Sequence, residues 1–524
     1  MNPTSYPHQP RTVRMVQTHS AFVFVAPPYV FKVKKAVNLG FLNFSTLSRR
    51  RHFLERELSL NRRLTKDLYL DVIPIRRGLH GLHFGAIGSV AEYALRMRQL
   101  PTSGFLDYKV DRGHLDPSDL DRVLRRLADF YRGQTRSHAR SRGGGIGNLR
   151  NATRENFRQS RRFVGVTLSA AEWSAIRTYT NSSYKVLEGL IARRVRSGKI
   201  VDGHGDLHLE HIHLTPGTLQ IYDCIEFNDR FRRLDLASDI AFLAMDLDFH
   251  ERPDLANRVI FQLSRQLKDP DLPQLADFYK CYRAFVRGKV ESLHSIAPAA
   301  HAAERARSAR RAREYFRLAL RYAVSGSRPM VLVVMGPPGS GKSTVVQGLA
   351  GRLGWTSISS DQVRKSSAGV LLHSRTKAAT RRRLYSEART RATYQTLRNS
   401  AVSAVSRGES ILLDATFGDP SQRAALLRLC KKAGTDCCFV ELHASARNLG
   451  LRLLRRARAP KVISDARHED LPLLLSRYSA PKELPPESLE HVASTEEPED
   501  TVTRILNRLA LRHASRERAG ARRR

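Results

Sequence analysis

The chain has 524 residues, of which 41% are hydrophobic and 7% aromatic. This length predicts two or three domains with cores of their own, and this composition excludes a wholly disordered chain. The formal net charge of +39 favours partners rich in phosphate, including nucleotides, nucleic acid and anionic membrane surface. A second interpretation is an arginine-rich composition spread over every solvated face, since the arginines are distributed along the whole chain.

Neither a membrane span nor secretion is expected from the sequence. No run of about 18 apolar residues occurs, and the N-terminus lacks the apolar core of a secretory signal. We therefore expect a cytoplasmic protein with no membrane span. The cysteines are too scattered for a disulfide framework or a zinc site; they are Cys224, Cys281, Cys430, Cys437 and Cys438.

The N-terminal part of the chain begins with strand and helix patterns and continues as a largely helical stretch. Residues 133–162 carry little hydrophobic pattern, which predicts an exposed loop or insertion. Alternating apolar residues predict strands, and 3.6-residue periodicity predicts a helix. The strands are expected within 11–35, 68–75 and 82–90, and the helix at 46–64.

A domain boundary is predicted at the turn 324–329, whose sequence is VSGSRP. One domain is expected at 1–325, ending in a helical linker at about 300–325. A second domain is expected at 326–512, where strand, helix and strand alternate as they do in a parallel α/β sheet. The basic tail 513–524 is predicted to be disordered.

Two acidic residues of the N-terminal half predict a phosphotransferase site. Asp206 lies in the loop sequence VDGHGDLHLEHIHL, where its carboxylate can accept the proton of a hydroxyl group. His211 follows five residues later, and Asp223 follows the strand-like sequence LQIY. An acid, a polar residue and a second acid at a strand end form the base-and-metal layout of a protein-kinase-like site.

Such a site also needs a lysine on a strand that pairs with a glutamate on a helix. The sequence VFKVKK supplies Lys32 or Lys34 for the strand. The sequence FLERELSLNRRL supplies Glu57 or Glu55 for the helix.

Other polar residues of this half predict supporting roles. Asp235 and Asp239 are expected to hold loops by accepting backbone hydrogen bonds. The histidines of the loop sequence permit a zinc site on composition, but the carboxylates that follow favour the kinase-like site. We expect the first two of these histidines to shape the loop; the four are His204, His208, His211 and His213.

The C-terminal half carries a complete phosphate-binding loop. It follows the strand-like PMVLVVM and precedes a helical sequence, which is the context that the motif G-x-x-x-x-G-K-[ST] requires. Lys342 is expected to reach the β- and γ-phosphates of a nucleotide, and Ser343 to ligate Mg²⁺. The loop comprises Gly336, Pro337, Pro338, Gly339, Ser340, Gly341, Lys342, Ser343 and Thr344.

Two carboxylates after the loop are candidates for the chemistry. Asp361 ends a strand-like stretch, where it can take a proton from a substrate hydroxyl, although a helix cap is also open. Arg364 is placed to hold a substrate anion. Asp414 ends the buried strand ILLD, as a Walker-B carboxylate does, and a turn aspartate is the alternative.

Arginines at helical spacing follow in the sequence LRLLRRARAP. They predict a lid that clamps the transferring phosphoryl group, or equally a solvated basic helix. They are Arg452, Arg455 and Arg456.

Taken together, GPPGSGKST, SSDQVR, ILLDATF and the arginine-rich lid resemble the small-kinase branch of P-loop ATPases, from residue 328 to about 510. That branch includes polynucleotide kinases, gluconate kinases, chloramphenicol phosphotransferase and zeta toxins. The spacing Asp-x-x-Arg is similar to the polynucleotide-kinase pair of general base and phosphate ligand. The resemblance implies that Asp361 is the base and Arg364 the substrate anchor.

The N-terminal half resembles aminoglycoside phosphotransferase-like kinases, because HGDLHLEH matches their catalytic loop except at its last position. The whole chain resembles bacterial bifunctional aminoglycoside phosphotransferase/ATP-binding proteins, on VFKVKKAV, FLNFSTLSRRR, ELSLNRRL, VAEYALRMRQLP, HGDLHLEHI, YDCIEFNDRFRRLDLASDIAFLAMDLD and GPPGSGKST in that order.

This resemblance implies roles for the residues that match. Asp206 becomes the base, Asp223 the Mg²⁺ ligand, and Lys32 the phosphate ligand supported by Glu57; the backbone of the VAEYAL segment, at Glu92 and Tyr93, meets adenine. The chain departs from the pattern in three places. A histidine, His211, stands at the metal-binding asparagine; QTHSAFVF, with Thr18 and Ser20, replaces the glycine-rich loop; and DCIE replaces Asp-Phe-Gly.

The sequence thus predicts an α+β protein-kinase-like domain followed by an α/β P-loop NTPase domain with a parallel sheet. The predicted function is ATP- and Mg²⁺-dependent phosphoryl transfer to a hydroxyl of a small molecule. One alternative is a kinase that acts on a nucleic-acid end, which the net charge motivates. The other is an ATP-hydrolysing binding or regulatory protein whose N-terminal kinase domain is degenerate.

Overall fold

The computed structural model describes residues 2–18, 20–38, 40, 42–79, 81–137, 146–298, 300–374, 376–458 and 462–522. Within it the chain divides into two compact units. The first unit comprises Met1–Asn156 and Leu187–Ala284, and the second unit comprises Phe157–Val186 and Phe285–Arg524. Among the described residues, no helix combines the length and the apolarity that crossing a membrane requires.

The first unit opens with an antiparallel sheet of six strands, which lie in the order β1-β2-β3-β6-β4-β5. One helix, α1 (Leu47–Asn61), follows the third strand, and Thr46 caps it by accepting a hydrogen bond from the backbone N–H of Arg49. The buried face of α1 is largely polar and includes Glu57, so this helix presents charge to its neighbours. The strands are β1 (Arg14–Gln17), β2 (Ala21–Ala26), β3 (Tyr29–Lys34), β4 (Tyr69–Gly78), β5 (Gly81–His83) and β6 (Ser89–Arg98).

The chain then becomes mainly helical, with two short antiparallel ladders, β7 with β10 and β8 with β9. These ladders frame the loop 203–211 and the segment 222–228, which carry the candidate catalytic residues. The elements are α2 (Leu106–Asp111), α3 (Pro117–Ser137), α4 (Ile146–Ser160), α5 (Ala170–Arg196), β7 (Ile200–Asp202), β8 (Ile212–Leu214), β9 (Leu219–Ile221), α6 (Asp229–Arg232), β10 (Arg233–Asp235), α7 (Leu236–Phe249), α8 (Pro253–Gln266) and α9 (Leu272–Ser295).

The loop predicted at 133–162 is wrong over most of its length. α3 continues to Ser137 and α4 occupies Ile146–Ser160, whereas residues 138–145 lie outside the described part of the chain. The buried positions of α4 are Thr153, Asn156, Phe157 and Ser160. Because three of these four residues are polar, the helical periodicity is not visible as a hydrophobic pattern.

The second unit contains the predicted parallel sheet, which is confirmed with the strand order β12-β13-β11-β14-β15. The central strand β11 is buried at all six positions, as expected of a parallel strand with both faces covered. The elements are α10 (Ala302–Ser325), β11 (Met330–Met335), α11 (Lys342–Leu353), β12 (Thr356–Ser359), α12 (Ser360–Ser366), α13 (Ala378–Leu384), α14 (Glu387–Ser406), β13 (Ile411–Asp414), α15 (Pro420–Lys432), β14 (Asp436–His443), α16 (Ala446–Ala457), α17 (Leu471–Ser476), β15 (Leu489–Ala493) and α18 (Pro498–Arg522).

The two compact units differ from the domains predicted by a single cut near residue 325. The expected linker at 300–325 forms α10, which belongs to the second unit and buries Tyr315 and Phe316 completely. The tail predicted to be disordered from 513 is helical through Arg522, and 523–524 lie outside the described residues. In this last helix Ala514 is buried and Arg516 forms an ion pair with Asp436, contacts that extend the helix beyond the predicted end.

Candidate active sites

The phosphate-binding loop runs from the end of β11 to the start of α11. Gly336 has φ 136°, and a Cβ at this position would lie 2.3 Å from the carbonyl oxygen of Leu442. Only glycine fits such a backbone without displacing β14. α11 begins at Lys342, so the free N–H groups of its first turn and its dipole favour an anion at the loop, as predicted.

A hydroxyl, an ammonium and a carboxylate converge beside this loop. The hydroxyl of Ser343 donates to Oδ2 of Asp414 over 2.6 Å. Nζ of Lys342 donates to the carbonyl oxygens of Gly336 and Pro337 over 3.0 and 2.9 Å. Burial lowers the pKa of Lys342, and it raises the pKa of Asp414, while the opposite charge of each partner counteracts the shift of the other. The loop after β11 and the end of the neighbouring strand β13 thus bring together the two candidate metal ligands of the C-terminal half, Ser343 and Asp414.

Asp361 lies in the first turn of α12, but it does not cap this helix, because Ser359 is the capping residue. Ser359 is the N-cap of α12, and its hydroxyl accepts the backbone N–H of Asp361 over 3.3 Å. The carboxylate of Asp361 instead accepts a hydrogen bond from the hydroxyl of Tyr385 over 3.2 Å. Asp361 also counteracts the lowering of the pKa of Lys342, which indicates that the two side chains share one electrostatic environment.

The predicted role of Arg364 as a substrate anchor needs correction. Its guanidinium donates to the carbonyl oxygen of Leu384 and to the hydroxyl of Thr390, both over 3.1 Å. It also lies over the ring of Tyr385, 4.3 Å from the ring centre, and the residue is only 6% exposed. Arg364 therefore fastens α13 and α14 to α12 and packs against the ring of Tyr385.

Two of the three arginines that were predicted to form a lid lie near the phosphate-binding loop. Arg452 donates to the hydroxyl of Ser494 over 2.8 Å and to the carbonyl oxygen of Thr495 over 2.7 Å, and a Cβ on Gly341 would lie 3.8 Å from its guanidinium. Arg456 donates to the carbonyl oxygen of Ala466 over 2.8 Å, and its charge lowers the pKa of Lys342 further, after the larger effect of burial. Arg455 is exposed.

In the first unit, two lysines of β3 share one buried glutamate. Nζ of Lys32 donates to Oε1 of Glu57 over 2.7 Å, and Nζ of Lys34 donates to Oε2 of the same residue over 2.8 Å. Lys34 also donates to Oε1 of Glu226 over 2.5 Å. The predicted pairing of a strand lysine with a helix glutamate is confirmed for Glu57, whereas Glu55 is exposed and pairs with Arg51.

The carboxylate of Asp223 joins this cluster, because its Oδ1 accepts a hydrogen bond from Lys32 over 2.7 Å. Its backbone has φ 60°, a left-handed conformation that is rare outside glycine and is often found at functional sites. Its N–H donates to the hydroxyl of Tyr69 over 3.2 Å. Desolvation raises the pKa of Asp223, but the charge of Lys32, which also donates to this carboxylate, opposes it, and the net pKa lies below the ordinary range.

Asp239 holds the loop of the predicted base, as expected from the sequence. Its carboxylate accepts the backbone N–H groups of His204 and Gly205 over 2.6 and 2.9 Å, and the hydroxyl of Tyr131 over 3.0 Å. Asp235 forms a two-point ion pair with Arg194 and caps α7. Asp239 therefore holds a loop as predicted, whereas Asp235 is structural as a helix cap and ion-pair partner and does not hold a loop.

The histidines of this loop fall into two pairs. His208 and His211 lie beside Asp206, since the nearest ring nitrogens are 3.5 and 3.6 Å from its Oδ2. On its other side, His211 places Nε2 3.4 Å from Oδ2 of Asp223. The rings of His204 and His213 are instead bonded to backbone carbonyl oxygens over 2.8 and 2.9 Å, so a zinc site made of all four histidines is not formed.

The resemblance assigned the backbone of two residues to the adenine of the nucleotide, but the structure places both residues inside a strand. Glu92 and Tyr93 are in the interior of β6, paired with Ile75 and Pro74, so they do not form the hinge. β6 continues to Arg98, which places the link to the helical part at the residues after it. Thr18 closes the β1-β2 hairpin, where its hydroxyl accepts the N–H of Ala21 over 3.0 Å.

Comparison with known proteins shows relatives that span most of the chain. The uncharacterized protein Rv2004c of Mycobacterium tuberculosis (strain ATCC 25618 / H37Rv) is 33% identical over 432 residues, which cover 82% of this chain and 83% of that protein. The uncharacterized protein Mb2027c of Mycobacterium bovis (strain ATCC BAA-935 / AF2122/97) matches with the same identity and coverage. The chain belongs to the family of these mycobacterial proteins. Because the match covers most of both chains, the two-unit organisation can be compared across the Rv2004c family.

The C-terminal part of this Rv2004c-family protein also matches a family model described as an AAA domain, over residues 331–481. This match agrees with the parallel sheet and the phosphate-binding loop, and the C-terminal region has a P-loop kinase-like fold. Similar solved structures include a gluconokinase from Sinorhizobium meliloti 1021, with 22% identity, 36% of this chain and 93% of that chain covered, and a TM-score of 0.26. Kti12 from Chaetomium thermophilum in complex with ADP-AlF3 has 20% identity, covers 33% and 96%, and has a TM-score of 0.26. TM-scores this low carry no conclusion about function.

Three contacts in this family member were not expected from its sequence. Lys34 and Glu226 form a second buried ion pair next to that of Lys32. The alternation of lysines in FKVK is a signal for this pair, because residues two apart on a strand share one face. His208 lies at Asp206, two residues away in the same loop. Tyr385 binds Asp361, and this contact has no local sequence signal, because it depends on how separate segments pack.

Proposed function

We propose that the protein is an ATP- and Mg²⁺-dependent phosphotransferase whose C-terminal unit moves the γ-phosphoryl group of ATP to a hydroxyl group of a small molecule. The observation that carries this proposal is the pair formed by Ser343 and Asp414, 2.6 Å apart beside Lys342. A hydroxyl and a carboxylate at the start of the helix and the end of the neighbouring strand are the oxygen ligands that P-loop proteins use for Mg²⁺. Bound there, Mg²⁺ supplies charge neutralisation at the phosphates.

The residues around this pair have complementary tasks in the proposed reaction. Lys342 binds the β- and γ-phosphates, exchanging the loop carbonyl oxygens for phosphate oxygens, which as anions are the stronger acceptors. Asp361 accepts the proton of the acceptor hydroxyl at its carboxylate, and Tyr385 orients that carboxylate. Arg452 and Arg456 add positive charge on the lid side of the loop, where charge develops during transfer.

We further propose that the first unit is a protein-kinase-like domain of the aminoglycoside phosphotransferase type with a second nucleotide site. The chain of contacts from Glu57 through Lys32 to Asp223 supports it, because a lysine held by a glutamate and facing a metal-binding aspartate is the kinase arrangement for ATP phosphates. In this proposal Asp206 serves as the base. The competing hypothesis is that this unit binds ligands without turnover and regulates the P-loop unit.

ATP turnover by the full chain tests both parts of the proposal. Wild type, Lys342→Ala and Asp206→Ala are compared with Mg²⁺, with and without pools of small metabolites and of oligonucleotides. Lys342→Ala is expected to reduce phosphoryl transfer at least about 100-fold, since it removes a charge that stabilises the transition state. The matched controls Lys431→Ala and Asp129→Ala change exposed residues and should retain turnover.

Each outcome assigns a role to one unit. Loss in both variants means that each unit is a working phosphotransferase. Loss in Lys342→Ala alone means that the first unit is a sensor or scaffold. Full turnover in Lys342→Ala contradicts the proposal for the P-loop unit. Stimulation by oligonucleotides alone, falling steeply with salt, shows the alternative acceptor class, a nucleic-acid end, that the net charge of +39 motivates.

A further inference from the structure

The candidate metal ligands of the first unit do not match the magnesium ion that the kinase-like arrangement implies. Mg²⁺ takes oxygen ligands in near-ideal octahedral geometry and binds imidazole poorly. Here Asp206, His208 and His211 each offer a ligand atom, and these three atoms all lie within 4.8 Å of one another. Two of the three donors are imidazole nitrogens. This donor set suits Zn²⁺, Co²⁺ or a related transition-metal ion better than Mg²⁺.

The hydrogen bond of His211 determines which of its nitrogens is available. Nδ1 lies 2.9 Å from the backbone carbonyl oxygen of Asp206. A carbonyl oxygen can only accept, so Nδ1 carries the hydrogen, and in the neutral ring the lone pair is on Nε2. A histidine that donates one N–H to a backbone carbonyl and presents its other nitrogen is the usual arrangement of a metal ligand, because the carbonyl fixes the tautomer and the ring orientation.

The available nitrogen of His211 lies next to the carboxylate of Asp223 and not next to a hydrogen-bond donor. Nε2 of His211 lies 3.4 Å from Oδ2 of Asp223, so a nitrogen lone pair and a carboxylate oxygen lie close together. A doubly protonated His211 would form a charge-assisted bond there, for which distances of about 2.7–2.9 Å are typical. The observed distance is longer, which favours the neutral ring. A cation shared by the nitrogen and the carboxylate satisfies both.

We propose that Asp206, His208, His211 and Asp223 form a binding site for one divalent transition-metal ion of the zinc or cobalt class, in preference to Mg²⁺. His211 provides Nε2, and the carboxylates supply negative charge that compensates the ion. Two ligand atoms that share one tetrahedral ion at about 2.0–2.2 Å lie about 3.3–3.6 Å apart. The pairs His208–Asp206 and His211–Asp223 are separated by 3.5 and 3.4 Å. The use of this ion in phosphoryl transfer rests on the proposed function of the first unit, whereas the binding itself does not.

Cobalt binding to the full chain, stripped of metal and free of nucleotide, tests this site directly. Co²⁺ bound by imidazole in a four- or five-coordinate site has intense visible d–d bands, which hexaaquo Co²⁺ lacks. Wild type is expected to show these bands with a one-to-one end point. Zn²⁺ is expected to abolish them at one equivalent, and a 100-fold excess of Mg²⁺ is expected to leave them unchanged.

Variants locate the ion. His211→Asn replaces the nitrogen with an amide oxygen and is expected to weaken Co²⁺ binding at least about 100-fold, beyond the 10–100-fold typical when only an outer partner is removed. His208→Asn provides a second variant with a predicted loss of affinity, and circular dichroism checks the fold of both. His114→Asn changes an exposed histidine and should bind as wild type does.

The results separate this proposal from the proposed function. Absence of the visible bands in wild type overturns the metal site, as do bands that persist in both folded histidine variants or that Mg²⁺ displaces as readily as Zn²⁺. None of these results depends on ATP or on an acceptor. Conversely, loss of turnover in Lys342→Ala with no effect of Asp206→Ala refutes catalysis by the first unit and leaves the cobalt titration valid.

Discussion

Glu57 is the residue on which the charged cluster of the first unit depends. Its side chain is 0% exposed, and its two oxygens bind Lys32 and Lys34. Removing one partner of a buried ion pair leaves the other charge without a counter-charge in the protein interior, where the dielectric constant is low. Glu57→Gln keeps the shape and is therefore expected to lower the free energy of unfolding by roughly 3 kcal/mol, measured by urea denaturation.

The neighbouring glutamate supplies the matched control for this prediction. Glu55 is exposed and pairs with Arg51 one helical turn away. Exposed pairs of this kind contribute little, so Glu55→Gln should change the stability by at most about 0.5 kcal/mol. Equal effects of the two substitutions would contradict a structural role for the buried cluster.

Because His204 is buried, we expect the free energy of unfolding of the protein to depend on pH. His204 is completely buried, and burial lowers its pKa from 6.5 to about 4. The unfolded chain binds this proton at higher pH than the folded chain does. The contribution is therefore fully present above pH 6.5 and is lost as the pH falls from 6.5 towards 4, by up to about 3 kcal/mol.

Urea denaturation of wild type and His204→Gln between pH 7.5 and 4.5 measures this contribution. Glutamine keeps a donor for the carbonyl oxygen of Tyr222 and does not titrate, so the variant should lose less stability on acidification than wild type. The exposed His114→Gln should follow the wild-type profile. Parallel profiles for wild type and His204→Gln would mean that other groups cause the pH dependence.

At the scale of elements, the turn between β11 and α11 requires glycine at one position, whereas the helix α11 that follows tolerates a side chain at one of its glycines. In Gly336→Ala the new Cβ would meet the carbonyl oxygen of Leu442, at a φ that alanine rarely adopts. We expect this variant to lose ATP turnover about 100-fold or more, because the loop amides leave their positions at the phosphates. Binding of a fluorescent ATP analogue measures the loss of the nucleotide site.

Gly351→Ala is the control, because Gly351 lies in the helix that follows the turn and its Cβ would meet nothing within 4 Å. An alanine there should raise the stability by roughly 0.5–1 kcal/mol, since glycine is the poorer helix former. Turnover should stay at the wild-type rate. If Gly336→Ala behaves in the same way, the loop does not bind phosphate.

Elements that depend on local sequence were predictable, and those that depend on distant contacts were not. The phosphate-binding loop lies within nine residues, and Asp414 was found because parallel strands end at one edge of the sheet. The contacts of Arg364 with Leu384 and Thr390 could not be read from the motif, because they depend on the placement of α13 and α14. For the same reason Glu226 was missed as the partner of Lys34, which precedes it by 192 residues.

For the whole molecule, the question is which segments each unit needs in order to be stable. The alanine- and arginine-rich sequence of α10 suggests a solvated linker, yet the helix is part of the second unit. It buries Tyr315, Phe316 and Tyr322, and a Cβ on Gly288 would lie 2.9 Å from the ring of Phe316. Three buried aromatic rings on one helix form core, and such rings contribute the most to stability when they are buried.

Two fragments of the second unit test this assignment. The fragment 285–524 keeps α10, whereas the fragment 326–524 begins at the boundary that the sequence suggests. We expect the longer fragment to unfold at a higher temperature, because the shorter one exposes the surfaces of α11 and α18 that pack against α10. In the longer fragment Phe316→Ala should cost about 3–5 kcal/mol, as for a buried phenylalanine in other cores. Equal melting temperatures of the two fragments, with no effect of Phe316→Ala, would return α10 to the role of a linker.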